Sequence, residues 1–502
     1  MKSPFLAIVS LVPLLASAIL PSNAVPLLPS QERALISLKA AWGNCVVTNT
    51  WIPGADCAKW SGIACDDRGM VTQLYISDYS CTGALTEAVG NLTELTQLDL
   101  TNNWRIGGGL PKSLSKLQKL ESLGISDNIH GRISGGLPES IGKLTRLTFL
   151  AFRGTGLAGS IPRGLARLSR VEYLDLDYNR LTGEIPRELS RMAALNTLDL
   201  GGNRLTGSVP PTLAKIKGLK RLRLGKNKLS GALPVTVVLA MKSLEELDLH
   251  NNRFTASSIA ALANHPSLTD INLSWNHITG RVPSQFGQMK KLGALRLAGN
   301  RLRGTVPEAL LQNLPNLYEL DLSFNGLSGE FPWANLKNAP VIEYLNLQRN
   351  AFTGAIPADA FQNVHVAVFN ISFNLFSGPM PNLGFMGGEE EPPVDVRGNY
   401  FWGSPEFIMS NQKVCPEEGQ ADPDSGDDEY LAALNCLGKS SSCNMKQQRS
   451  RAACSNYCGT STTNGPCSGH GVCVPAGGAV FKCRCASGYK AVGGKPHECV
   501  KA

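Results

Sequence analysis

Cysteine is missing from the middle of this chain. None of its 14 cysteines lies between Cys81 and Cys415. Cys45, Cys57, Cys65 and Cys81 precede the gap, and the other ten follow it. Disulfides persist in oxidising compartments, so bridges are expected at the two ends alone. Long apolar runs are also missing after the first residues. No later stretch is long and apolar enough to span a bilayer. The end, Cys499-Val-Lys-Ala502, has no hydrophobic tail for a lipid anchor. Signatures of catalysis are absent as well. There is no His-Glu-x-x-His, and Gly438-Lys-Ser440 lacks the upstream glycine of a phosphate loop. Gly154-Thr-Gly156-Leu-Ala-Gly159 matches a dinucleotide loop by letter only, since no helix-forming run of the right kind follows. The seven histidines are scattered, without cysteine or carboxylate partners at ligand spacing. No catalytic, metal-ligating or cofactor-binding residue is expected.

What is present begins with Lys2 and an apolar run from Phe5 to Leu20, then the small residues Ser22-Asn-Ala24. This pattern predicts a secretory signal over 1–24, cut after Ala24 in preference to Ala18. From Gln31 to Trp42 the apolar residues Ala34, Leu35, Leu38 and Ala41 have helical spacing. From Val71 to about Asn399 one phrase recurs, clearest as Leu195-Asn-Thr-Leu198-Asp-Leu200-Gly-Gly-Asn203-Arg-Leu205-Thr-Gly207-Ser-Val-Pro210. Its first apolar residue falls at Val71, Leu95, Leu120, Leu147, Val171, Leu195, Leu219, Leu244, Leu268, Leu292, Leu317, Ile342 and Val366. The step is 24 or 25 residues, except for one of 27 after Leu120. Alternation around Leu198 and Leu200 predicts a half-buried strand. The recurrent Asn follows where the chain turns. Its amide both donates and accepts, so it can satisfy backbone groups of neighbouring coils. One coil cannot bury its own leucines, but stacked coils share a column. Each buried Leu contributes roughly 1.5–3 kcal/mol, enough for the array to fold as a single elongated body. Phe254-Thr-Ala-Ser-Ser-Ile259 lacks the Gly and Pro of its neighbours and predicts a local irregularity. Gly131-Arg-Ile-Ser-Gly-Gly136, in the longest step, reads as an inserted loop.

This phrase is the leucine-rich repeat. Leu157-Ala-Gly-Ser-Ile-Pro162, Leu181-Thr-Gly-Glu-Ile-Pro186 and Phe352-Thr-Gly-Ala-Ile-Pro357 resemble its plant-type form, Leu-x-Gly-x-Ile-Pro. The resemblance implies an α/β solenoid, a right-handed superhelix with a concave parallel sheet. Cys57-Ala-Lys-Trp60-Ser-Gly62-Ile-Ala-Cys65 resembles the N-terminal cap of plant extracellular repeat proteins. There Cys57 and Cys65 would pair around a buried Trp60. That leaves Cys45 and Cys81 for each other, although sequence alone does not fix connectivity. Cys467-Ser-Gly-His-Gly471-Val-Cys473 and Phe481-Lys-Cys483-Arg-Cys485-Ala-Ser-Gly488-Tyr489 resemble an EGF-like module. The resemblance implies Cys467 with Cys483, Cys485 with Cys499, and Cys473 with Cys458 or Cys454. The expected organisation is a signal (1–24), a disulfide-stapled cap (25–70), about 13 repeats (71–403), an acidic then basic linker (404–453) and the EGF-like module (454–502).

Function is then sought on the surface. Two of the coils carry Tyr173, Asp175 and Tyr178, then Arg221 and Arg223, with His250 one coil further on. Phe149 and Arg153 precede them. Arg221 and Arg223 lie on one face of a strand, and two guanidiniums there suit a carboxylate. Some plant peptide receptors of this fold hold a peptide C-terminus with such a pair. Trp275, Tyr318, Phe324, Tyr344 and Phe373 add aromatics of the kind that anchor partners. A second surface is basic. Net charge is +8, and Arg163, Arg167, Arg170, Arg187 and Arg191 follow the Pro residues on the expected convex flank. Such a field attracts polyanions, here an acidic cell-wall polysaccharide; nucleic acid is not expected. Asn91, Asn272 and Asn370 head glycosylation motifs. Glycans on the last two would shield later coils and leave Leu147 to Leu268 as the reading face. The chain therefore resembles soluble wall proteins such as polygalacturonase inhibitors, or receptor-like ectodomains. The implied function is non-enzymatic recognition of an extracellular protein or peptide. A matrix component that holds acidic polysaccharide and a soluble receptor fragment are the alternatives.

Overall fold

The computed structural model describes residues 25–402, except 44, 104, 128–132, 363, 365, 380–393 and 397, and also the backbone of 471–475, 481–485, 489–492 and 495–501. The expected signal, the linker with Cys415, Cys436 and Cys443, and Cys454, Cys458 and Cys467 lie outside the described residues. So do the side chains of Cys473, Cys483, Cys485 and Cys499. The chain divides into two compact units, Met1–Thr206 and Gly207–Ala502. Each is a length of leucine-rich repeat solenoid.

The first unit opens on an α-helix, Pro29–Ala41, that buries Ala34, Leu35 and Leu38. Cys45–Cys81 and Cys57–Cys65 are bridged as expected. Trp60 is 1% exposed and stacks on Trp51 at 5.8 Å. The hairpin Ile63–Cys65/Val71–Tyr75 starts a sheet whose later neighbours are parallel. Gln97–Asp99, Ser122–Gly124, Phe149–Ala151, Tyr173–Asp175 and Thr197–Asp199 follow. Their leucines are in register, Leu150 and Leu198 each opposite Leu174. The second unit repeats this from Arg221–Arg223 to Val368–Asn370.

The half of the coil written Leu-x-Gly-x-Ile-Pro forms further parallel strands, which periodicity did not announce. Ala158–Ser160, Arg180–Glu184 and Arg204–Thr206 are one such sheet. Short 3-10 helices follow the prolines, such as Arg163–Arg167 and Arg187–Arg191. The Asn amides staple coil to coil. Asn203 Nδ2 donates to Leu176 O at 2.9 Å in the preceding coil, and its Oδ1 accepts from Leu181 N at 2.9 Å. Asn300 makes the same bonds to Leu273 O and Ile278 N, at 2.9 and 3.0 Å. The residue before this Asn has a left-handed backbone in both units: φ is 48° at Tyr178, 56° at Trp275, 53° at Phe324 and 53° at Arg349.

The coil without Gly and Pro keeps its strand, Arg253–Ala256, with Ala256 in register with Ile278 and Phe254 fully buried. The expected irregularity falls at the helix that follows, Ala260–Asn264. Ile259 before it has φ −115° and ψ 8°, where Pro162, Pro186 and Pro283 are extended, and His265 after it is extended. The preceding coil is irregular too, with an α-helix, Val235–Ala240, that takes up an extra residue. One expectation is corrected: within the expected loop, Ile133-Ser134 is a strand, while Gly131 and Arg132 lie outside the described residues. The strand pairs with Gly108-Gly109, and Ile133 is 4% exposed because it fills the apolar place that Leu157 fills one coil later.

At the far end, Tyr400–Trp402 adds a strand beside Ser377–Pro379, and Phe401 stacks on Phe376 at 6.4 Å. Two antiparallel hairpins, Gly471–Pro475 with Phe481–Cys485 and Tyr489–Val492 with Lys495–Lys501, occupy the expected EGF-like segment.

Candidate functional site

In the first unit the outward positions of the sheet form one linked group. Phe149 and Tyr173 stack in parallel at 5.0 Å. Tyr173 Oη donates to Asp175 Oδ2 at 3.1 Å. Asp175 Oδ1 accepts from Asp177 N at 3.0 Å. Arg153 donates from its guanidinium to Asp177 Oδ2 at 3.0 Å and lies 4.9 Å from the Tyr178 ring. Asp127 is 3.5 Å from Arg153 on the other side. Asp175, Asp177 and Asp199 are all buried and can each bring a carboxylate oxygen within 4.8 Å of the others. Burial, then the carboxylates of Asp175 and Asp199, push the Asp177 carboxyl well above the usual range, against the pull of Arg153. Burial opposes the charge of Arg153, but Asp177, Asp127 and Asp175 outweigh it and hold the guanidinium above its ordinary range. Phe149, Arg153, Tyr173, Asp175 and Tyr178 are thus brought together, although Asp175 is buried and not presented.

On the other side of the same coils, Arg163, Arg167, Arg170, Arg187 and Arg191 are all exposed. Arg163 and Arg187 approach Glu188 at 3.7 and 3.5 Å.

In the second unit the Arg221/Arg223 clamp already holds a carboxylate of its own chain. Arg223 donates Nε and Nη2 to the two oxygens of Glu246, at 2.6 and 2.8 Å. Arg221 is 3.7 Å from Glu246. This corrects the expectation of a clamp open to a partner; strand register sets Arg221 opposite Glu246. His250 Nδ1 is 2.7 Å from Asp248. Arg296 pairs with Glu319, and Tyr318 donates to Asp270 at 2.8 Å.

The later coils carry an exposed row instead. Trp275, Phe324 and Phe373 are 44%, 36% and 37% exposed. The Trp275 and Phe324 rings are 5.3 Å apart. The Arg349 guanidinium sits 5.4 Å from Phe324 and 4.8 Å from Phe373. Gly299 is required between Trp275 and Phe324: a Cβ there would meet the Trp275 ring at 2.5 Å.

Glycan placement is corrected too. Asn370 is 3% exposed, its Oδ1 accepting from Ser372 N and Oγ, and Ser372 is fully buried. A glycan there would have to displace the strand's own packing. Asn272 is half-buried and Asn91 exposed. Shielding of the later face therefore loses one of its two supports.

Among the described residues no helix is long and apolar enough to cross a membrane. Family models described as leucine rich repeat match residues 217–278 and 170–192, 194–216 and 316–336. Polygalacturonase inhibitor 1 of Oryza sativa is 34% identical over 113 residues, 22% of this chain and 34% of that protein. Phytosulfokine receptor 2 of Arabidopsis thaliana is 36% identical over 85 residues, 16% of this chain and 8% of the receptor. The chain thus spans about a third or less of the length of these relatives. The crystal structure of PEPR1-AtPEP1 superposes with a TM-score of 0.63 at 30% identity, covering 77% of this chain and 54% of that one. These relatives are named for inhibition and reception, not for a catalysed reaction. The Asn ladder, the stacked parallel strands and these matches together make this chain a leucine-rich repeat protein of the plant type.

Proposed function

We propose that this chain is a secreted, non-enzymatic recognition protein that binds an extracellular protein or peptide through the outward face of its sheet. The exposed row of Trp275, Phe324 and Phe373 around Arg349 carries the reading. Aromatic and Arg side chains on a rigid surface supply large contact area at small entropic cost and dominate binding energy where they occur. Relatives named as an inhibitor and a receptor support a binding role. The Tyr173 and Arg223 patches support it less, because their polar groups are engaged within the chain. The test immobilises the full chain and captures from plant culture medium. Trp275→Ala with Phe324→Ala and Phe373→Ala should lower retention of any specific band at least tenfold, with the melting temperature held. Undiminished retention would exclude the row.

A second reading, retention on acidic cell-wall polysaccharide, is favoured by the five exposed arginines. Arg167, Arg170 and Arg191 have no carboxylate within 4 Å among the described residues. Retention on pectate should then fall steeply with salt and in Arg167→Ala with Arg170→Ala and Arg191→Ala. Binding indifferent to salt would remove this reading.

A further inference from the structure

We propose that Asp175, Asp177 and Asp199 form a site for a hard divalent cation, calcium above all. The coil pattern shows what is ordinary here and what is not. An acidic residue between the two strand leucines recurs, and each one accepts the N–H two residues on. Asp99 does so from Thr101 at 2.8 Å, Asp175 from Asp177 at 3.0 Å and Asp199 from Gly201 at 3.1 Å. That bond explains one oxygen each of Asp175 and Asp199. It does not explain Asp177.

The position of Asp177 is held in neighbouring coils by Thr101, Ser126, Arg153 and Gly201. A third carboxylate there faces two others, since Asp175 and Asp199 are in register on adjacent strands. Like charges so placed repel. Asp177 Oδ2 is taken by Arg153. Its Oδ1 is buried with no hydrogen-bond donor among the described residues, on a residue only 4% exposed. A buried carboxylate oxygen without a donor must take up a proton or a cation. Around it stand three carboxylates and one guanidinium, with Asp127 beyond Arg153 and the Tyr173 hydroxyl on Asp175.

The donor set is oxygen only, with neither nitrogen nor sulfur, which selects hard cations. The size also fits. Calcium–oxygen bonds of about 2.3–2.6 Å put opposite ligands roughly 4.6–5.2 Å apart, and the three carboxylates offer oxygens within 4.8 Å of one another. Calcium tolerates irregular geometry, whereas magnesium demands a near-ideal octahedron. Arg153 competes for Asp177, so the affinity should be modest, with Kd on the order of 0.1–1 mM as in extracellular modules.

The test uses the full chain with terbium as a luminescent stand-in, excited through Tyr173 and Tyr178, and calcium as competitor. One saturable component displaced by calcium is expected, and calcium should raise the melting temperature. Asp177→Asn and Asp199→Asn should each remove that component, while Arg153→Gln should tighten it several-fold. The Asn variants keep any contribution of acidic residues elsewhere in the chain, which serves as background. Asp177→Asn relieves repulsion, so its melting temperature in chelator should equal or exceed that of the parent, which separates lost binding from lost folding. Absence of a saturable component overturns the proposal, as does its survival in Asp177→Asn. A parent chain indifferent to calcium whose melting temperature in chelator falls as pH rises from 4 to 7 would assign the extra charge to a shared proton instead, and overturns it too.

Discussion

The two units build the same coil and use its outward positions in opposite ways. In the first unit those positions are drawn inward: Phe149 stacks on Tyr173, Arg153 lies against Asp177, and three aspartates are buried beside them. In the second unit, charges are cancelled in adjacent coils, Arg223 by Glu246 and Arg296 by Glu319. The residue before the Asn is then left to project, as Trp275, Phe324 and Phe373 do. The difference lies in that one column. At the same left-handed position the first unit has Asp78, Asn102, Asp127, Gly154, Tyr178 and Gly202; the second has Lys226, Asn251 and Gly299, but also Trp275, Phe324, Arg349 and Phe373. Backbone geometry is shared, so the side chain alone decides whether a coil turns its chemistry inward or outward.

If the scaffold is common to both units, breaking it should be equally severe in each. Asn203→Ala and Asn300→Ala each remove donors to three carbonyls and an acceptor for one N–H. Leaving such buried groups unsatisfied should destabilise by about 2–4 kcal/mol, read by thermal unfolding and by hydrogen exchange in each unit. A response in one unit only would mean that the ladder is not the common element. The column before the Asn should follow. A β-branched residue is a poor fit at positive φ. Tyr178→Val and Phe324→Val should each cost about 1–3 kcal/mol, beyond the loss seen for Ala at the same place.

Legibility followed the same division. The leucine period set the strands and their register, Leu150 opposite Leu174 opposite Leu198. The amide chemistry of Asn foretold its bonds between coils. Both depend on residue types that recur from coil to coil. The bridge Cys57–Cys65 was implied instead by the resemblance to the plant N-terminal cap, which left Cys45 and Cys81 for each other. The second set of strands escaped because glycine and proline lower the strand signal of Leu-x-Gly-x-Ile-Pro. The closed Arg223–Glu246 pair, the buried Asn370 and the aspartate cluster escaped for another reason. Each depends on which side chain stands one coil away, some 23–25 residues along. Asp175-x-Asp177 with Asp199 in the same register was visible in sequence to a reader who stacked the coils. The burial of all three was not.

Asp177 sharpens the contrast on the acid side. Its folded pKa is raised, chiefly by burial and then by Asp175 and Asp199. The contribution of the protonated form is therefore complete below the unfolded value, near 3.9, and is lost as pH rises through the folded one. Above that pH, without divalent cation, Asp177→Asn should raise the melting temperature. Its effect should vanish at pH 3.

The smallest effect concerns His265, which gives the second unit a titration that the first lacks at the equivalent place. Where the 3-10 helix ends, the first unit has Leu92, Leu117, Leu144, Leu168 and Met192, all apolar and fully buried or nearly so. The second has His265, 5% exposed, donating from Nε2 to Met241 O at 2.9 Å. Its Nδ1 accepts from Ser267 N and Leu268 N at 3.3 and 3.2 Å. Those two N–H groups require an unprotonated Nδ1, and burial lowers the pKa of the ring. A base with a lowered folded pKa contributes stability that is present above its unfolded value, about 6.5, and is lost as pH falls toward the folded one. Hydrogen-exchange protection factors, which remove the intrinsic pH dependence of exchange, should therefore fall around Met241–Leu268 between pH 7 and 5, while those of the matching coils of the first unit hold. His265→Leu, which supplies the residue type found there, should abolish that pH dependence. An equal fall in protection in both units would show that acid acts on the shared scaffold and not on this histidine.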